Sequence, residues 1–184
     1  PPFSPSPPIG RLTAVKTTVL ASCTPEDEAM LAERRRLGQD RLDEVWQGEY
    51  HLVPGPHSRH GILDEQFADA VRDRARAATL TATTTFNLGG PDDYRVPDRG
   101  YHRGRPHGLY LSTAALVVEV LSPGDETYDK FAFFADHRVD EVAVVDGDAR
   151  AIHWFALGPG GYLAVAYSEV LGTDVAAIAG AMDW

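Results

Sequence analysis

A chain of 184 residues with a formal net charge of −10 is long enough for one well-buried core and too short for two ordinary domains. That charge argues against a protein that grips nucleic acid through a broadly basic surface. The single cysteine, Cys23, excludes an intramolecular disulfide and suits a reducing cytoplasm, and no apolar run is long enough to span a bilayer.

Pro1 to Pro8 is rich in proline and serine and carries no basic stretch leading into an apolar core, so an extended segment is expected rather than a secretory signal. Residues 1–23 are expected to form this N-terminal segment, with a loose strand within Arg11 to Ser22, and residues 24–184 a single domain. Thr24-Pro25-Glu26-Asp27 starts a helix, with Thr as the cap, Pro in the first position and acids in the first turn. Gly38 should end it, leaving Arg34 to Arg36 against the negative end of the helix dipole. Asp43 to Val53 reads as a strand interrupted by Gly48. Leu63, Phe67 and Val71 recur every four residues, which predicts a helix from Gly61 to about Ala78 with one face on a sheet. His57 falls in the preceding loop and His60 where the helix should begin. Leu80 to Leu88 and Tyr94 to Tyr101 read as an antiparallel strand pair joined by the turn Gly89 to Asp93, and Arg103 to Gly108 as a loop free to approach a substrate.

Ala114 to Leu121 is a short apolar run of the kind buried on both faces of a sheet, yet it contains Glu119. Taking a carboxylate from water into such a strand costs several kcal/mol unless a cation or hydrogen-bond donors compensate. A sheet-edge position or a buried arginine partner would account for one such glutamate. Asp98 after Pro97 and Lys130 on the helix expected over Glu126 to His137 suggest more. Two carboxylates and an ammonium converging at the ends of adjacent strands make a divalent-metal site with a cation for phosphate. Taken singly, Asp98 could cap a turn and Lys130 could pair with Glu126 on an exposed helix face. Glu141 to Asp146 is the next buried strand, reached through a helix and therefore parallel to the Glu119 strand. Strands at Ala151 to Leu157 and Tyr162 to Tyr167 and a helix over Asp174 to Met182 complete an α/β chain with a mixed sheet. The histidines form no zinc-binding spacing, and Gly158 to Gly161 is a turn with no helix behind it to make a phosphate loop.

The stretch from Val96 to Asp146 resembles the Uma2 family, a branch of the PD-(D/E)xK nuclease superfamily. The matching residues are Val96-Pro97-Asp98, Leu116 through Pro123, Glu126 through Lys130, Val139-Asp140-Glu141 and Val144-Val145-Asp146. Upstream, Arg36-Leu37-Gly38, Asp43 through Gly48 and Pro56 through Gly61 are similar to the family's N-terminal half. The resemblance implies a restriction-endonuclease-like core, a central mixed β-sheet flanked by helices, and a Mg²⁺- or Mn²⁺-dependent endonuclease acting on DNA. Asp98, Glu119 and the Val120 carbonyl would hold the ion, and Lys130 would assist catalysis. In the wider superfamily the lysine lies two residues after the acid, where this chain has Leu121; the family's lysine on the following helix is matched by Lys130. Glu44 aligns with a third acid, with Glu49 a competitor nearby, and His60 with a family histidine that would touch a metal-bound water or a phosphate. The expected partners are DNA and a second copy of the chain, in the cytoplasm, with no membrane. The alternative is a nuclease-like fold that has lost turnover and serves as a binding or dimerisation module.

Overall fold

The computed structural model describes residues 17–122, 124 and 126–184, so the expected Pro1–Pro8 segment and the Pro123 and Asp125 positions of the turn after Ser122 lie outside the described residues. The first strand, β1, is Thr18–Leu20, the described part of the loose strand expected within Arg11 to Ser22. Helix α1, Pro25–Leu37, begins as its sequence dictates. The Thr24 hydroxyl accepts the Asp27 amide, the Asp27 carboxylate accepts the Thr24 amide, and Gly38 ends the helix at φ 65°. Arg34 does more than face the helix dipole: its guanidinium clamps both oxygens of buried Asp43 at 3.0 and 2.8 Å, fastening α1 to the next strand.

The stretch expected as one interrupted strand is a hairpin, β2 (Glu44–Trp46) and β3 (Glu49–Leu52). Gln47 and Gly48 turn it with φ of 51° and 92°, the paired left-handed conformations that tight two-residue hairpins require. Helix α2, Ser58–Ala77, starts three residues earlier than the apolar period indicates, so His60 stands in its first turn.

The long antiparallel pair expected between Leu80 and Tyr101 exists, but each strand is divided. β4 (Leu80–Thr83) pairs with β7 (Arg99–Arg103), while β5 (Asn87–Gly90) pairs with β6 (Asp93–Arg95). The break in the second strand is Val96-Pro97-Asp98, where Pro97 has no N–H to give a ladder. The two halves serve different sheets. With β8 (Tyr110–Leu111), the first sheet runs β1-β3-β2-β6-β5-β8. The second contains β9 (Leu116–Val120), β10 (Glu141–Asp146), β11 (Ala151–Gly158) and β12 (Gly161–Ala164), in the order β12-β11-β10-β9-β7-β4. Both sheets are mixed, and β9 and β10 are parallel as expected, with Leu116 opposite Glu141 and Val120 opposite Val145.

The connection between β9 and β10 is a 3-10 turn, Thr127–Lys130, followed by the short helix α3, Phe131–Asp136, in place of one helix from Glu126 to His137. Alternation along β9 divides the core. Leu116, Val118 and Val120 pack with Leu63, Phe67, Val71 and Ala75 of α2 on one face. Val117 meets Leu88 of β5 and Phe133 and Phe134 of α3 on the other. Glu119 shares that second face, between the two sheets. The chain closes with the small pair β13 (Tyr167–Ser168) and β14 (Thr173–Asp174) and with α4, Val175–Gly180. No helix among the described residues is long and apolar enough to cross a membrane.

Candidate active site

Four side chains from separate parts of the chain converge where the two sheets meet. Glu119 is buried in β9 at 4 % exposure, and Glu44, at the start of β2, at 3 %. The register that sets Arg99 opposite Val118 sets Asp98 opposite Glu119 when continued by one residue. The Asp98 Oδ2 atom accepts the Val120 amide at 2.8 Å, which holds the aspartate at the end of the Glu119 strand. Lys130, last in the 3-10 turn, points back over that strand end. Its Nζ lies 2.9 Å from Glu44 Oε1 and 3.3 Å from Glu119 Oε1.

Lys130 therefore does not form the exposed pair with Glu126 that its spacing allowed. Glu126 instead meets His51 Nδ1 of β3 at 3.1 Å. Glu44 and not Glu49 enters the cluster. Its Oε1 also accepts the Val96 amide at 2.8 Å, and its Oε2 accepts the Trp46 indole N–H at 2.7 Å. Glu49 shares a face with Glu44 but pairs with Trp46 at the turn end of the hairpin, where it is exposed. His60 reaches from α2 to the far side of Asp98, with Nε2 2.9 Å from Oδ1 and Nδ1 3.3 Å from the Ser122 hydroxyl. The loop from Arg103 to Gly108 does not join them. β7 runs antiparallel to β9, so that loop leaves from the end of the sheet remote from Glu119.

Three acids around one ammonium leave a surplus of negative charge in a dry place. Burial raises the Glu119 pKa well above the usual carboxylate range; Lys130 opposes this, and Asp98 and Glu44 reinforce it. Burial alone would lower the Lys130 ammonium, but Glu119, Glu44 and Asp98 outweigh it, so its pKa is raised and the lysine stays charged. Removing one partner from such a buried pair costs about 3–5 kcal/mol, because the other charge is left uncompensated. A second buried carboxylate, Glu141, shows the contrast. It is held by neutral donors, the Trp154 indole and the Ser168 hydroxyl on Oε2 and the amides of Glu169 and Val170 on Oε1.

The donor set fits a hard divalent ion. Asp98 and Glu119 are adjacent oxygen anions beside the Val120 backbone, the number of carboxylates that Mg²⁺ ordinarily takes from protein. Among the described residues no group of three or more His, Cys, Asp or Glu side chains is placed to hold a metal ion by itself. Sequence reasoning missed Trp46, which reads as an apolar strand residue. Its spacing of two from Glu44 was the available signal, since both then lie on one side of β2.

No curated protein matches the chain. Among solved structures it is similar to "a putative nuclease belonging to DUF820" from Anabaena variabilis ATCC 29413, with a TM-score of 0.61 and 12 % identity over 76 % of this chain and 90 % of that one. At that identity the likeness is one of fold. The model of the Uma2 family, described as "Putative restriction endonuclease", matches residues 31–178. With most of its length under that match, and with Asp98, Glu119 and Lys130 gathered at one strand end, the chain belongs to the Uma2 family.

Proposed function

We propose that this protein is a Mg²⁺-dependent endonuclease that hydrolyses phosphodiester bonds in DNA, with Asp98, Glu119 and the Val120 carbonyl as the ion's protein ligands. The observation that carries this reading is Glu119: a carboxylate set in a dry strand beside two further acids, with the Lys130 ammonium 3.3 Å away and shared with Glu44. A divalent ion held there supplies Lewis-acid polarisation of a phosphodiester oxygen and acidifies water for in-line attack. Lys130 presents a permanent positive charge at the strand end, suited to stabilising the charge that develops on phosphorus-bound oxygens. His60 and the Val120 amide hold the two oxygens of Asp98 and fix its orientation. Glu44 already receives the Val96 amide, the Trp46 indole and Lys130, so it serves as the anchor of the lysine, and one ion is the expected number.

The test is calorimetric titration with Mg²⁺ or Mn²⁺ together with cleavage of duplex DNA. Binding is expected in the parent and lost in Asp98→Asn and Glu119→Gln; unchanged binding in both variants removes the ion from the site. Lys130→Ala is expected to cut slowly while binding the ion about as well, and parental cleavage rates in that variant would end its role. The net charge of −10 favours one other reading, a nuclease-like module without turnover. That reading predicts ion binding with no cleavage of any nucleic acid. A homodimer, with two such sites addressing the two strands, is part of the proposal, and sedimentation velocity would test it.

A further inference from the structure

Trp46 lies outside the acid cluster yet touches Glu44, one of the two carboxylates that hold Lys130. Its indole N–H donates to Glu44 Oε2 at 2.7 Å, while Lys130 and the Val96 amide take the opposite oxygen. The ring is stacked on His51, with centroids 4.4 Å apart and 13° between the planes, and the Arg95 guanidinium lies 4.3 Å from its centre. Arg95 is 4.0 Å from the Phe133 ring of α3, and His51 bonds Glu126 just ahead of the 3-10 turn. Two lines of contact thus run from Trp46 to the segment that bears Lys130, one on each side of it in sequence.

We propose that Trp46 is a positioning residue. Its N–H locks the rotation of Glu44 so that one carboxylate oxygen is turned to Lys130, and the Trp46–His51–Glu126 chain fastens the lysine-bearing turn. This rests on the nuclease reading, because what is positioned is the ammonium that reading uses.

Trp46→Phe keeps an aromatic ring for the stack and deletes the N–H donor together with part of the indole ring. Loss of one hydrogen bond to a charged group at a positioning residue is expected to lower kcat by about tenfold. KM should stay within about twofold, since no group that binds substrate is removed. In a Glu44→Gln background the same substitution is expected to cost nothing more, because the carboxylate it orients is gone. A second readout needs neither turnover nor a change at Trp46. The indole ¹⁵N–¹H resonance of Trp46 is expected to move in Glu44→Gln and in Lys130→Ala, while those of Trp154 and Trp184, bonded to Glu141 and to the Ala179 carbonyl, stay in place. Parental kcat in a folded Trp46→Phe, full additivity with Glu44→Gln, or a Trp46 resonance unmoved by both substitutions would overturn the positioning role. A parent that cleaves nothing defeats the nuclease reading, and the resonances then decide the link from Trp46 to Lys130 by themselves.

Discussion

Two glutamates in adjacent parallel strands face the same physical problem and meet it differently. Glu141, at 2 % exposure, has four neutral donors and no cation within the described contacts. Glu119 has one ammonium shared with Glu44 and is crowded by Asp98. The first arrangement is complete in itself and secures the C-terminal segment to β10. The second is left with negative charge to spare, which is what distinguishes a site from a structural anchor. Glu141→Gln should therefore act on stability. Its amide nitrogen would face N–H and O–H donors, leaving donors unpaired at a cost of about 1–3 kcal/mol. Urea unfolding should show a lower midpoint with faster hydrogen exchange at Glu169 and Val170, and an unchanged midpoint would show that the four donors find other partners. The local sequence shows Glu119 inside its apolar run and Glu141 at the start of one, but only their neighbours in space show how each carboxylate is compensated.

At the scale of elements, periodicity was a good guide wherever one face of an element meets one layer. The α2 stripe of Leu63, Phe67 and Val71 lies on the sheet as its spacing of four implies, continued by Ala75. Phe67 is fully buried and stacks 6.1 Å from Trp154 of β11. Phe67→Ala should cost about 3–5 kcal/mol, read as a fall in the thermal unfolding midpoint, because a ring at the centre of this layer leaves a cavity that rigid strands cannot close. A loss below about 1 kcal/mol would mean that α2 settles into the gap. Periodicity was a poorer guide to where strands end. An alternating run such as Tyr94 to Tyr101 looks the same whether it stays in one sheet or crosses between two. The connection after β9 also departs from the expected Glu126 to His137 helix, since its first turn winds as a 3-10 turn and ends at Lys130. That tighter turn is what aims the lysine back at Glu119.

For the whole molecule, the consequence of the divided strands is that Val96-Pro97-Asp98 passes from one sheet to the other. Glu44 comes from the first sheet, Asp98 from the crossing point, Glu119 from the second sheet and Lys130 from the connection beyond it. An ion held by Asp98 and Glu119 would tie that crossing point to the second sheet and bind only the folded chain. Free ion at a hundred times its dissociation constant should then add about 2.7 kcal/mol of stability. A rise in the melting temperature with Mg²⁺ in the parent and none in Glu119→Gln is the expected result. An equal rise in both would assign the effect to other acidic surface.

What the sequence by itself determined is the set of local decisions. Helix α1 is bounded by Thr24 and Gly38, α2 by its four-residue stripe, and β9 and β10 by short apolar runs joined through a helix and therefore parallel. It also marked Glu119, because a charged residue inside an apolar run is conspicuous in one dimension, with Asp98 after Pro97 and Lys130 on the next helix as its candidate partners, and the resemblance to Uma2 rested on the same residues. Only the tertiary structure decided that Glu44 and not Glu49 meets Lys130 and that His60 braces Asp98. Both depend on register across strands and on how the two sheets meet. Such relations bring together residues far apart in the chain, and local propensity carries no information about them.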